Sequence, residues 1–600
     1  MNSNIFGINF EDKPEEATKI LEDNYLTIKE VEDNKIISDP SLPINYIIEG
    51  DNFYSLNLLK FTHKRSFDLI YIDPPYNRPG QRFKYNNEFI DNEDPWYHSS
   101  WLSFMNHRLK IAKELLKDDG VFICAIDEKE QEALGLLLQK IFPNHEIEII
   151  VNQHNKRGKQ GRGLSFCHEY HYILYPKDGK KYIFPQEVNV EDQKPGQMRQ
   201  WGSESMRDDP KVPGRSMFYP IYIKDNKVIK AGEPLPDGAK EPSPNEDAEN
   251  GMIKVWPIDQ NNIPRKWYYG RKSIEEKNKK GLLIVVKNSR NNLYEIKHYK
   301  ETNKVKSMWY DKRFDANAFG SKLLTNILGK EIKGMYPKSI YTLEECLKIT
   351  IKNKKNAKVL DFFAGSGTTG HAVLNINKLD DGNRSFIMCT NNEDNIATEV
   401  CFPRTKNVIK GYKFKGIIKQ ELLSKDLDYK DFEDNKKLLK EINDLIKLNE
   451  KKYDKIKKVI EENCLRVIGE KKIEKKTDPI LANLKYFKID KDNFISKNNN
   501  DLKNIFKRIK EIILFKNETF NLVKTCKDFE IYENEKNTSS LLFNHLETTK
   551  LIDEIKKIKK THKIYIFSVG DRDFSNEFKA LNGSDFEIKN MPNDYVKSFN

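Results

Sequence analysis

Two runs in this sequence carry residue types that can do chemistry: Asp73-Pro74-Pro75-Tyr76-Asn77, and, far downstream, Asp361-Phe362-Phe363-Ala364-Gly365-Ser366-Gly367-Thr368-Thr369-Gly370. The first suits an exocyclic amino group on a heterocyclic base. Such an amine is a poor nucleophile because its lone pair is delocalised into the ring. A carboxylate accepting one N–H, with a rigid carbonyl accepting the other, favours a more tetrahedral nitrogen whose lone pair faces an electrophile. Asp73 supplies the carboxylate and Pro74 the carbonyl, held by the fixed φ of Pro74 and Pro75. Tyr76 supplies a face on which the base can stack. No covalent enzyme intermediate is required, so catalysis here is positioning and hydrogen bonding. The bland reading of the same four residues is a stiff turn after a strand.

The second run is a strand end, a tight glycine turn and a helix start. Glycines allow close backbone approach to a ligand, and a helix N-terminus offers unpaired N–H groups. A phosphate loop is excluded, because His371 stands where that motif requires lysine. A dinucleotide site fits the glycines but leaves the Asp-Pro-Pro-Tyr run unexplained.

The elements that must position these runs read as a parallel α/β sheet. Residues 46–52 form a strand ending at Gly50-Asp51, residues 53–59 a helix, and residues 67–72 a second strand. Trp101, Phe104, Met105, Leu109, Ala112 and Leu116 recur at helical spacing, and Asp118-Asp119-Gly120 predicts the helix stop. Strands are expected at 121–126, 146–151, 170–175, 357–362 and 384–389. The basic, glycine-rich stretch at 153–163 is expected as a loop that holds a phosphate backbone or closes over a flipped base, or else as a solvated hairpin tip. After the strand at 384–389, Asn391-Asn392-Glu393-Asp394 offers an acid for ribose hydroxyls.

In this order the runs resemble the beta group of amino-directed DNA methyltransferases, and more closely the modification (Mod) subunits of type III restriction-modification systems and their stand-alone relatives. The likeness rests also on Glu49-Gly50-Asp51-Asn52, Trp101-Leu102-Ser103-Phe104-Met105 and Met335-Tyr336-Pro337-Lys338-Ser339. The resemblance implies a Rossmann-like fold with permuted motif order, S-adenosyl-L-methionine (AdoMet) as donor, and the N6 amine of an adenine flipped from duplex DNA as acceptor. By position it assigns Asp73, Pro74, Pro75 and Tyr76 to the target amine. To the cofactor it assigns Asp51, Asp361, Phe363, Ala364, Gly365, Gly367, Thr368, Lys338 and Glu393. Asp at the head of the motif favours adenine, whereas cytosine-N4 enzymes more often carry Ser. A recognition subunit directing a nuclease–helicase partner, an RNA methyltransferase and a cytosine-N4 enzyme stay open as alternatives.

The implied layout is an N-terminal extension (1–45), a catalytic half (46–176), a target-recognition insert (177–319), an AdoMet half (320–415), a lysine-rich helical segment (416–475) and a small C-terminal α/β domain (476–600). In the insert, Arg199, Trp201, Arg207, Arg215, Tyr219, Arg265, Lys266, Trp267, Tyr268 and Arg271 interleave cations with rings, suited to phosphates or guanine edges. In the helical segment, Leu438, Ile442, Leu445, Ile456 and Val459 trace an amphipathic stripe, predicting a helical hairpin or interface helix. The resemblance makes the C-terminal domain a docking site for a second copy, giving a homodimer, or for a helicase–nuclease restriction subunit.

The 600 residues exceed one ordinary core, so several domains are expected. The 103 basic and 91 acidic residues leave a net charge of +12, which permits a polyanionic partner. The seven cysteines lack CxxC or Cys/His spacing, so neither a metal site nor a disulfide framework is predicted. With no long apolar run or basic-then-apolar leader, the expected location is the cytoplasm, at DNA and away from membranes.

Overall fold

The computed structural model describes the chain from residue 10 onward, except residues 11–14, 78–83, 86–87, 90–96, 159–163, 189, 191–192, 201–206, 209–213, 290, 462–463, 494–504, 569–571, 582–585, 593–594 and 596–600. Part of the basic loop (159–163) and Trp201 of the insert therefore lie outside the described residues. Two compact units emerge, one from residues 1–182 with 306–600, the other from Ile183–Val305.

The first unit is built on a ten-stranded sheet. Its middle is a run of parallel neighbours: Asn483–Asn493, Ile44–Glu49, Ser385–Thr390, Lys358–Asp361, Phe67–Ile72 and Leu116–Ile126. Every residue of Phe67–Ile72 is buried, including the paired Asp68, as expected of a largely apolar central parallel strand. Glu169–Pro176 and His145–Asn152 extend one side antiparallel, and Met308–Trp309 closes it. On the other side the N-terminal extension supplies the strand Asn24–Glu30, antiparallel to Asn483–Asn493. The strand that leads into Asp73 thus lies directly beside the strand of the glycine loop.

Buried polar side chains knit distant segments of this sheet. Asn45 donates to the Asn483 carbonyl at 2.9 Å and accepts the Phe386 N–H at 3.0 Å. Asp68 pairs with Lys117 at 2.7 Å and Lys354 at 3.2 Å, and accepts the Lys358 N–H at 3.0 Å. Buried groups like these cost free energy unless paired, so they fix which strands are neighbours.

The helix carrying Trp101 to Ala112 spans Tyr97–Leu115 and stops before the expected glycine. Buried Leu116 pairs with Phe67, and Asp118 to Gly120 are taken up by the register shift before Val121 pairs with Leu69. The lysine-rich segment also departs from expectation. Tyr429–Glu433 and Asn435–Asn449 are helical there, but Ile456 and Val459 lie on the strand Lys455–Glu461 of a three-stranded antiparallel sheet. The helix lays Ile442, Leu438 and Leu445 on Leu465 and Val467. A turn at Lys451-Lys452 ends the helix, so the three-residue spacing from Ile456 to Val459 has no helix to follow.

The five-stranded C-terminal sheet is the expected small α/β element, with Thr561–Ser568 parallel to both its neighbours. The chain enters it only after Asn483–Asn493 has joined the central sheet.

The Ile183–Val305 unit has four- and three-stranded antiparallel sheets around Tyr219, Ile221, Trp267, Ile274 and Ile296. Trp267 and Lys266 are buried there, and the Trp267 indole donates to the Tyr219 carbonyl at 2.7 Å. Arg207, Arg215 and Arg265 pair with Glu241, Asp237 and Asp259 at 2.6, 2.7 and 2.8 Å, and Arg271 pairs with Glu233. Tyr268 stays exposed.

Candidate active site

Both runs leave the same edge of the sheet. Leu69 and Ile70 pair in parallel with Val359 and Leu360, so Asp73 and Asp361 emerge side by side at the carboxyl ends of adjacent strands. In open α/β sheets this edge is where ligands bind.

The Asp73-Pro74-Pro75-Tyr76 turn is clamped at both ends. The Trp101 indole donates to the Pro75 carbonyl at 2.8 Å. Asn77 adopts a left-handed φ of 52°, and its amide donates to the buried Glu130 carboxylate at 2.6 Å. Within the turn the Tyr76 hydroxyl donates to Asp73 Oδ1 at 2.6 Å.

Lys338 closes the pocket from the other half of the chain. Its Nζ stands 3.1 Å from Asp73 Oδ1 and 4.6 Å from the Tyr76 ring centroid, donates to the Tyr76 hydroxyl, and donates to Glu169 Oε2 at 2.7 Å. A Cβ on Gly320 would fall 2.2 Å from the Pro337 carbonyl, so glycine there permits the close approach that seats this segment. Glu169, 2% exposed, opens the strand Glu169–Pro176 and accepts the Asn152 amide at 3.1 Å. Lys338, assigned from the sequence to the cofactor, thus spends its charge on the Asp73 pocket.

Charges in the pocket set one another's proton affinity. Burial raises Asp73 above the ordinary carboxylate value even though Lys338 pulls it down. Burial pushes Glu169 the same way, but Lys338, His154 and His171 overcome it and hold Glu169 well below the carboxylate range. Lys338, penalised by burial, is nonetheless raised by its two carboxylates. His171 is pushed down to about 4, chiefly by burial, and is neutral near pH 7. Two carboxylates share one ammonium, and Asp73 keeps 28% of its side-chain surface open.

The glycine loop is arranged differently. Asp361 accepts the Phe363 N–H at 3.0 Å and the Thr369 hydroxyl at 2.5 Å, tying the strand end to the first turn of the helix Thr368–Asp380. Burial raises its carboxyl to about 7. Gly365 and Gly367 take left-handed φ values of 49° and 76°. A Cβ on Gly365 would meet only the Phe363 carbonyl, at 3.8 Å, so that side of the loop is open. Ala364 is pinned by its N–H bond to the Cys389 carbonyl at 3.1 Å, and Phe363 packs near Phe104. Buried Arg404 donates to Ser366 Oγ at 3.1 Å and Thr368 Oγ1 at 2.7 Å, bracing the turn from behind.

Asp51 caps the helix Asn52–Thr62 by accepting the Phe53 N–H at 2.7 Å, and its side chain is 47% exposed. The neighbouring Asn52 amide donates to the Phe362 carbonyl at 3.0 Å, and Arg108 donates to Asn52 at 2.6 Å. Glu393 is exposed beyond the strand Ser385–Thr390. Asn392 beside it accepts the Ala397 and Thr398 N–H groups at 3.1 and 3.2 Å. Glu169, Asn152, Arg404 and the Asn52–Arg108 pair were not singled out from sequence. The available signal was a charged residue at the head of an apolar strand, His168-Glu169-Tyr170.

The type II methyltransferase M.KpnI of Klebsiella pneumoniae is 30% identical over 370 residues, covering 59% of this chain and 82% of that protein. The EcoPI Mod subunit, from a type III restriction-modification enzyme of Escherichia phage P1, is 29% identical over 394 residues, 58% of each chain. Among solved structures, the M1.HpyAVI–SAM complex matches at a TM-score of 0.27 and 12% identity, over 60% of this chain and 98% of that one. A DNA methylase family model matches residues 67–399, a span that contains both runs, the pairing of their strands and Lys338. On that match, over more than half of its length, the chain belongs to the DNA methylase family of N6 and N4 methyltransferases.

Proposed function

We propose that this protein transfers a methyl group from AdoMet to the N6 amine of adenine at a specific site in duplex DNA, as the modification subunit of a type III-like restriction-modification system. The observation that carries the reading is the Asp73 carboxylate, partly open and held by Tyr76 and Lys338, one strand away from the open glycine turn. Asp73 accepts one amine N–H and the Pro74 carbonyl the other. The base stacks on the face of Tyr76 opposite Lys338. Because methylation leaves the nitrogen with a surplus proton, Asp73, whose proton affinity is raised, is the group placed to receive it.

The loop residues suit AdoMet: the turn is open at Gly365, Thr368 begins the helix, and the half-exposed Asp51 and exposed Glu393 offer acceptors for hydroxyl and amino groups. When bound, AdoMet supplies an electrophilic methyl group. In this reading Asp361 braces the loop from beneath.

An Asp73→Ala variant is expected to lose methyl transfer by at least about a thousandfold, as for a group acting in the transition state, while AdoMet binding by calorimetry is unchanged. Retained transfer contradicts the assignment. Co-purification with a helicase–nuclease subunit tests the partner, and the mass of the isolated protein tests the dimer.

A further inference from the structure

We propose that Glu169 is a positioning residue for methyl transfer: by sharing the Lys338 ammonium with Asp73, it leaves Asp73 basic enough to accept the amine proton. The inference rests on the functional reading above.

The geometry is a chain of three charged groups. Lys338 Nζ lies 2.7 Å from Glu169 Oε2 and 3.1 Å from Asp73 Oδ1, and Tyr76 Oη reaches both carboxylates, at 2.6 Å from Asp73 and 3.4 Å from Glu169. Asp73 is partly open, whereas Glu169 is sealed, so only Asp73 can meet a substrate. A lone Lys338–Asp73 pair would make Asp73 a weak base, because a neighbouring cation favours the carboxylate. A lone Asp73–Glu169 pair would leave two like charges in a buried site. With all three present, the ammonium is divided and its pull on Asp73 is diluted.

Other groups also face this chain. Tyr71 lies behind Asp73 on its own strand, and Cys124 and Asp361 sit on the two adjoining strands, each coupled electrostatically to Asp73. His171 and His154 stand 3.9 and 4.0 Å from the Glu169 oxygens, and Cys346 is coupled to Glu169. Among these groups, only Glu169 shares the Lys338 ammonium with Asp73 in a direct ion pair, among the described residues.

The test is the Asp73 ionisation, read by infrared difference titration and assigned by its loss in Asp73→Asn. It needs neither cofactor nor activity. Glu169→Gln is expected to move that titration down by about one pH unit, and Lys338→Met to move it up by about as much. The acid limb of single-turnover methylation should follow in each case, with the maximal rate of Glu169→Gln down roughly tenfold. If Glu169→Gln does not fold, the double variant Glu169→Gln, Lys338→Met replaces it, and its titration is expected below that of Lys338→Met alone. An Asp73 titration unmoved by Glu169→Gln, or a double variant matching Lys338→Met, overturns the role. Wild-type protein that methylates no DNA overturns only the functional reading, since the titration stands without it.

Discussion

Two carboxylates at the ends of neighbouring strands are held by opposite means. Asp73 is surrounded by charge: an ammonium at 3.1 Å, a second carboxylate behind that ammonium, and an open side. Asp361 is surrounded by neutral donors, a backbone N–H and the Thr369 hydroxyl, and is nearly sealed. A cation that tracks its carboxylate keeps it ionised and ready to accept, whereas burial without a cation drives a carboxyl toward its neutral form. On the proposed function, Asp73 is the carboxylate left to meet substrate and Asp361 the one that holds a loop.

The sharpest way to break the contrast is pH. Asp361 has an ordinary value of 3.8 and is raised to about 7 in the folded chain. The folded state therefore holds a proton that the unfolded chain releases, so its stabilising contribution is full below pH 4 and declines as pH rises to 7. The wild-type chain should lose up to about 4 kcal/mol relative to Asp361→Asn across that window, measured by urea unfolding at several pH values. A difference between the two that is constant with pH would show that burial does not raise Asp361 in the folded chain.

Removing the cation tests the other side. Lys338→Met leaves Asp73 and Glu169 facing each other without their counter-charge, and a loss of about 3 kcal/mol is expected, at the low end for a broken buried pair because Asp73 reaches water. Thermal or urea unfolding reads it, and an unchanged stability would mean that the ammonium is not shared.

The smallest effect is local to the glycine turn. Gly367→Ala forces a side chain into a φ of 76° and sets a Cβ 3.1 Å from Cys401 Sγ. A cost of about 1–2 kcal/mol is expected, with weakened AdoMet binding by calorimetry and an undisturbed Asp73 titration. A shift in that titration would show that the two sites are not separable.

The same contrast explains what the sequence disclosed. The glycine turn and the Asp-Pro-Pro-Tyr turn compress their chemistry into contiguous residues, and the apolar runs around them specify parallel strands, so both were legible. Glu169 was not, because its role depends on a lysine 169 positions away that only strand pairing brings to it. Lys338 was visible as part of a Tyr-Pro-Lys-Ser run, but its direction was not. The strand Asn483–Asn493 carries no local sign that it enters the central sheet beside Ile44–Glu49, since that pairing is settled by Asn45, Asn483 and the N-terminal strand. Ile456 and Val459 show the reverse failure, where a spacing compatible with a helix was used by a strand.

The most direct measurement is to incubate the purified protein with methyl-labelled AdoMet and duplex DNA of mixed sequence, then identify the labelled nucleoside by mass spectrometry. Label confined to N6-methyladenine, and absent with Asp73→Ala, is the predicted result. Label in N4-methylcytosine, in RNA alone, or undiminished in the Asp73→Ala variant would contradict the account.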